Sequence, residues 1–203
     1  MIATHPNAYY GLRHGTSEAN ERGIVVSHPQ AGTTSCGLTA AGADECRRRL
    51  APASLSPLVL SRRSTVVLSS DFTRARQTAA ILCELHGLEP FRTVTGLRER
   101  YFGTLENGDV AGYDQVWSRD ATDPHHGWAD TESTEAVAQR MRAVIEACER
   151  DHSGATIILV SHGDPLQILE TVLLGLPSHH HRRRPHLANA ELRRLPALQG
   201  SGR

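Results

Sequence analysis

TIILVSHGDPLQILETVLLG, residues 156–175, decides the fold. Its first six residues, 156–161, form a β-branched and apolar run that reads as a buried strand. A helix is expected directly after it. Asp164 is a good N-cap, Pro165 suits the first helical position, and Gly175 supplies the stop. A strand that passes through His162-Gly163 into a helix is one unit of an alternating α/β chain.

The same alternation appears on both sides of this stretch. AYYGL at 8–12 reads as a short buried strand, and TVVLSS at 65–70 as another. DFTRARQTAAILCELHG follows, with Ala75, Ala79, Leu82 and His86 on one helical face and Gly87 as the stop. STEAVAQRMRAVIEACER forms a helix on Val137, Met141, Val144, Ile145 and Cys148. Thr39 caps a helix running to about Leu50, FRTVTGL at 91–97 is a strand or extended segment, and ANAELRRL at 188–195 is a final strand. Residues 16–37 and PASLSP at 52–57 read as loops, residues 103–132 give no firm structure, and GSGR reads as a loose tail. The expected fold is α/β, a three-layer sandwich with a largely parallel central sheet flanked by helices on both faces. No repeat or linker divides the chain. One domain is expected over 1–203, with a poorly defined segment at 104–131 and a basic loop at 179–186.

The totals narrow the function. Hydrophobic residues make up 39% of 203, enough for a core, and no apolar run approaches the ~20 residues that span a bilayer. MIATHPNAYYG lacks the basic start and apolar stretch of a secretory signal. Cys36, Cys46, Cys83 and Cys148 are scattered without a CxxC, which suits reduced thiols and a cytoplasmic protein. The formal net charge of zero argues against nucleic acid as a partner, and nothing points to a membrane. All 22 basic residues are arginine, a bias that suits a GC-rich genome for most of them.

Three strand exits carry chemistry. YYGL runs into Arg13-His14-Gly15, TVVLSS runs into a helix with Arg74 on its first turn, and TIILV runs into Ser161-His162-Gly163. Ligands of open α/β sheets bind beyond the carboxyl ends of the strands. If these strands are parallel neighbours, Arg13, His14, Arg74 and His162 converge beside a helix N-terminus. That makes a pocket for a dianion, and a phosphate is the expected one. Neutral imidazole is a competent nucleophile near pH 7, and arginine forks stabilise charge on equatorial phosphoryl oxygens. The leaving alkoxide needs a proton. Glu99 in LRERYFG is the candidate donor, because a nearby phosphate dianion raises a carboxyl pKa.

At these residues the chain resembles the histidine phosphatase superfamily, which includes the cofactor-dependent phosphoglycerate mutases. LRHGTSEAN carries the RHG motif at Arg13, His14 and Gly15, with Asn20 further on. SSDFTRARQTA matches the second-arginine motif at Arg74, LRERYFG the acid segment at Glu99, and VSHGD the second-histidine motif at His162. GLTAAG at 37–42 and the Glu-Ser pair at 132–133 agree more weakly. The resemblance covers roughly residues 8–195. It implies His14 as the phosphorylated nucleophile, with Arg13, Asn20, Arg74 and His162 binding phosphate and Glu99 donating the proton. It also implies that no metal is required, and no cofactor is expected for this chain. Many members have an acidic residue after RHG, where this chain has Thr16, and a second glycine after HG, where it has Asp164. Both departures bear on substrate choice. The segment between Glu99 and Ser133 is shorter than in the family's mutases. A more open mouth admits water and favours hydrolysis.

Plainer readings compete at several positions. Arg76 reads as an ordinary exposed helix arginine beside Arg74, and without the resemblance Glu99 is no better than Glu106. HHHRRR at 179–184 reads as a solvated basic loop, because adjacent histidines converge poorly on a metal. His125 and His126 carry no assignment. The chain has no Cys-x5-Arg loop, DxDx[TV], GxSxG or Walker motif. The expected function is a metal-independent phosphomonoesterase acting on a small phosphorylated metabolite through a phosphohistidine. The alternatives are phosphoglycerate mutase-type transfer and a non-catalytic phosphate-binding module. The oligomeric state is not specified, and a homodimer is one arrangement open to the chain.

Overall fold

The computed structural model describes residues 7–197. Five strands, β1 (Ala8–Arg13), β2 (Thr65–Ser69), β3 (Arg92–Thr93), β4 (Thr156–Ser161) and β5 (Leu192–Arg194), form one sheet in the order β3-β2-β4-β1-β5. All neighbours are parallel except β5, which runs antiparallel to β1. The helices are α1 (Glu18–Arg22), α2 (Pro29–Thr34), α3 (Ala40–Arg49), α4 (Pro52–Leu55), α5 (Thr73–His86), α6 (Gly112–Asp120), α7 (Thr134–Asp151) and α8 (Gly163–Leu173).

The run that reads as a buried strand is the centre of the sheet. Ile157, Ile158, Leu159 and Val160 of β4 are all fully buried. Because successive strand residues point to opposite faces, they serve two cores. Ile157 and Leu159 pack with Val137, Met141 and Ile145 of α7 and Leu166 and Leu169 of α8. Ile158 and Val160 pack with Cys46 of α3 and Ala75, Ala79 and Leu82 of α5. The result is the expected three layers. Each buried aliphatic side chain contributes about 1.5–3 kcal/mol.

This layering positions the site. β1 and β4 are neighbours, yet the chain leaves β1 for α3 on one face and leaves β4 for α8 on the other. Diverging connections open a crevice at the carboxyl ends of the two strands, where α/β sheets bind ligands. Arg13 pairs with Ser161 in register, so His14 and His162 emerge side by side.

Several expectations are corrected. Residues 16–37 hold two short helices. α1 is started by a capping box between Ser17 and Asn20, and α2 by Pro29 at its first position with the His28 ring as cap. Both are too short to show a period. PASL at 52–55 is a helical turn begun by proline. Of 91–97, only Arg92–Thr93 pairs as strand, and Thr95–Leu97 is a 3-10 turn. The 103–132 segment contains α6 and two 3-10 turns. Asp164 does not cap α8. His162 occupies that position, Pro165 stands third in the helix, and the Asp164 carboxylate turns toward Trp117 and Arg100. The GSGR end lies outside the described residues. Among the described residues, no helix is long and apolar enough to cross a membrane.

Candidate active site

The loop after β1 places His14. Its Nδ1 lies 2.7 Å from the Gly15 carbonyl and donates to it, so Nε2 carries the lone pair. Arg74 Nε donates to that Nε2 at 3.1 Å. The backbone here is pressed against α3. A Cβ on Gly15 would stand 2.3 Å from Cys46 Sγ, and one on Gly42 would stand 2.0 Å from the Thr16 carbonyl. GLTAAG therefore has a physical role: Thr39 caps α3, and Gly42 lets α3 touch the loop. Gly15 N also donates to Thr78 Oγ1 of α5 at 3.1 Å.

His162 lies directly behind. The two rings meet edge to face with centroids 5.1 Å apart. Ser70 Oγ accepts from Phe72 N at 3.2 Å and is hydrogen-bonded to His162 Nε2 at 2.9 Å. His162 Nδ1 is buried without a hydrogen-bond partner. Burial first, then Arg74, push both histidine pKa values well below the ordinary value, with Arg13 acting in the same direction on His14. Both rings are therefore neutral near pH 7.

The arginines present free nitrogens beside them. Arg74 is 3% exposed and donates from Nη2 to the Val26 carbonyl at 3.0 Å, while its Nη1 has no partner. Arg13 Nη1 donates to the Leu187 carbonyl at 2.8 Å and lies 2.6 Å from His186 Nε2, while its Nε has no partner. Asn20 Oδ1 accepts from Ser17 N, Ser17 Oγ and Asn189 Nδ2. Its amide protons remain available to the cavity it lines.

Glu99 completes the group. Its Oε1 accepts from Arg100 N at 2.9 Å, and its Oε2 lies 3.8 Å from His162 Nδ1 and 4.0 Å from Arg74 Nη2. Burial raises its pKa to about 7, against the pull of Arg74. Arg140 of α7 holds the backbone behind it, donating to the carbonyls of Gly96, Arg98 and Glu99. Glu132 pairs with Arg140 and Ser133 caps α7, which accounts for the Glu-Ser pair.

Five of the six expected residues, Arg13, His14, Asn20, Arg74 and Glu99, line one cavity of about 280 Å³. His162 is fully buried and backs it. A family model described as "Histidine phosphatase superfamily (branch 1)" matches residues 9–202.

The chain belongs to the histidine phosphatase superfamily.

Among its relatives, a protein of Photorhabdus laumondii subsp. laumondii named "Probable phosphoglycerate mutase GpmB" is 32% identical over 191 residues, 92% of this chain and 83% of the relative. One of the same name in Serratia proteamaculans is 31% identical, over 94% of this chain and 85% of the relative. A mycobacterial glucosyl-3-phosphoglycerate phosphatase solved with VO3 superposes with a TM-score of 0.73 at 26% identity, covering 91% of this chain and 90% of that one. The α-ribazole phosphatase of Shigella flexneri shares the fold, with a TM-score of 0.68 at 22% identity over 95% and 96% of the two chains. The chain is thus an enzyme of the phosphatase or mutase type found in this superfamily.

Sequence reasoning missed the far wall of this superfamily site. Ile24, Val110, Tyr113, Trp117, Asp164 and His186 also line the cavity. Asp164 stands out in the sequence as a departure from the family pattern, and the Tyr113–Trp117 spacing of four places two aromatic rings on one helix face. The HHHRRR run is also more than a solvated loop. Its 3-10 turn buries His181 completely, 3.9 Å from both Asp120 and Asp164, and Arg182 stacks on Trp117 at 3.7 Å. His126 lies 2.6 Å from Asp120, whereas His125 is exposed. Arg76 is exposed as expected.

Proposed function

We propose that this chain is a metal-independent phosphomonoesterase that hydrolyses a small phosphorylated metabolite through a phosphohistidine on His14. The observation that carries this reading is a set of buried nitrogens without partners: Arg13 Nε, Arg74 Nη1 and His162 Nδ1. An unpaired buried donor costs about 1–3 kcal/mol. Three of them, from three separate elements beside one neutral imidazole, support a ligand rich in acceptor oxygens, as a phosphoryl group is.

The reaction follows from these groups. The His14 Nε2 lone pair forms a bond to phosphorus as the ester P–O bond breaks, and the electron pair leaves on the alkoxide. Glu99, with a pKa near 7, gives that oxygen its proton. Arg13, Arg74 and the Nδ1–H of His162 hold the equatorial oxygens. Water then attacks phosphorus and yields its proton to the Glu99 carboxylate. The N–P bond breaks, the electron pair returns to Nε2, and inorganic phosphate departs.

Hydrolysis of p-nitrophenyl phosphate tests this reading. It is expected to be blocked by vanadate, unaffected by EDTA, and reduced about a thousandfold or more in His14→Ala. Full activity in that variant would overturn the reading. The name carried by the GpmB relatives supports a second reading, in which the phosphoryl group returns to a bound glycerate instead of water. Transfer between glycerate positions without phosphate release would favour it.

A further inference from the structure

We infer that Asp164 makes the cavity a charge filter, so that the substrate is a phosphomonoester of a neutral, largely apolar alcohol. This inference rests on the phosphatase reading above. Asp164 is the residue that stands where many superfamily members have a second glycine. It lies on the first turn of α8, 5% exposed, and lines the cavity that holds His14. Both of its oxygens accept from the Trp117 indole N–H, at 3.2 and 3.1 Å, and Oδ2 lies 3.4 Å from Arg100 Nη1. Burial opposes its charge, but His181, Arg100, the indole N–H and Arg182 outweigh burial and hold its pKa below the ordinary value. A fixed carboxylate therefore lines the cavity beside the Trp117 indole.

The charges around it leave nothing for a second anion. Arg13 and Arg74 serve the phosphoryl oxygens in the proposed reaction. His186, the remaining basic side chain of the mouth, has its Nε2 2.6 Å from Arg13 Nη1 and its pKa pushed down to about 4 by burial and by Arg13. It is neutral at pH 7. Arg100 is fully buried and bonded to Asp120 by two nitrogens, so it does not reach the cavity. Arg182 lies on the Trp117 ring, donates to Gln167 and stands 3.9 Å from Asp164 Oδ1, so its charge is already engaged.

Apolar and aromatic side chains make up much of the rest of the wall, beside Ser17 and Asn20. Ile24, Phe102, Val110, Tyr113 and Trp117 line it. Trp117 is fixed by stacking on Tyr113, with centroids 5.3 Å apart, by Arg182 and by the bond to Asp164. A carboxylate beside the phosphoryl group would meet these side chains and Asp164 in place of a cation. Desolvation without a partner disfavours it.

The test compares esters on the wild-type enzyme. Glycerol 3-phosphate and 3-phosphoglycerate differ by a neutral hydroxymethyl against a carboxylate. The expected kcat/KM favours the neutral ester on the order of thirtyfold, the scale of bringing an unpaired carboxylate near a like charge at an effective dielectric of about 20. 1-Naphthyl phosphate is expected to exceed both. Asp164→Asn keeps the shape of the side chain and is expected to shrink the thirtyfold ratio to a few-fold. Equal or better use of 3-phosphoglycerate by the wild type would overturn the filter without any variant. An unchanged ratio in a folded Asp164→Asn enzyme would overturn the assignment to this residue. Binding of the same esters to His14→Ala, measured by calorimetry, separates the two readings. The neutral preference in binding with no wild-type hydrolysis would sink the phosphatase reading and leave the filter standing.

Discussion

At the residue scale, the site depends on neutral groups in a cationic setting. His14 is held neutral by burial and by Arg74, so its lone pair is present at every pH near neutrality. Glu99 has the opposite displacement. Burial raises it to about 7, so its proton is lost as pH rises through that value. We therefore expect kcat/KM to fall above about pH 7. Glu99→Gln is expected to lose that limb along with about 10²–10⁴ of the rate. A profile that stays flat through pH 8 would contradict the proton-donor role. Arg74 and Arg76 form an internal pair. Arg74→Ala should abolish phosphatase activity, while Arg76→Ala should change neither turnover nor stability beyond about 0.5 kcal/mol. His14 and Arg74 were legible because each sits in a motif at a strand exit, whereas Glu99 was singled out only by the family resemblance. Glu106, the rival of Glu99, accepts from Ser27 N, Ser27 Oγ and His28 N, a structural bond set that no local pattern announces. Asp164 was misread for a related reason. Its type suits a cap, and only tertiary contacts turn it toward Trp117 and Arg100.

At the element scale, long periodic segments were legible and short ones were not. α5 and α7 bury the apolar positions that their spacing marks, and Gly87 ends α5 in the left-handed region at φ 58°. α1, α2 and α4 hold too few residues for a period, and their caps and tertiary contacts determine them. The packing of α3 on the His14 loop carries a prediction. Gly42→Ala would drive a methyl onto the Thr16 carbonyl, so α3 and the loop must separate. A loss of about 1–3 kcal/mol by chemical denaturation is expected, with a fall in activity as His14 shifts. The central strand carries another. Ile158→Ala should cost about 2–5 kcal/mol, because the residue is fully buried between the sheet and α5.

At the scale of the whole molecule, strand order is what the chain conceals. Nothing local says that β4 lies between β1 and β2, yet that order brings His14, Arg74 and His162 together from segments up to about 150 residues apart. The folded state also records their burial in its pH dependence. His14 and His162 have depressed pKa values, so the unfolded chain binds more protons as pH falls through 6.5, and stability is lost in that direction. Glu99 acts in the opposite sense between 4.5 and about 7. His181 and His186 are depressed as well, so the histidines outnumber Glu99 and stability should fall as pH drops below 6.5, by about 1.4 kcal/mol per pH unit for each extra proton the unfolded chain binds. Denaturant midpoints that do not move between pH 7 and 5.5 would contradict this. The convergence itself is tested most directly by trapping the labelled enzyme under alkaline conditions. After rapid quench with a 32P-labelled phosphomonoester, the label should be base-stable, acid-labile and located on His14 by peptide mapping. Steady turnover with no label on the protein, or with label on another residue, would contradict the account.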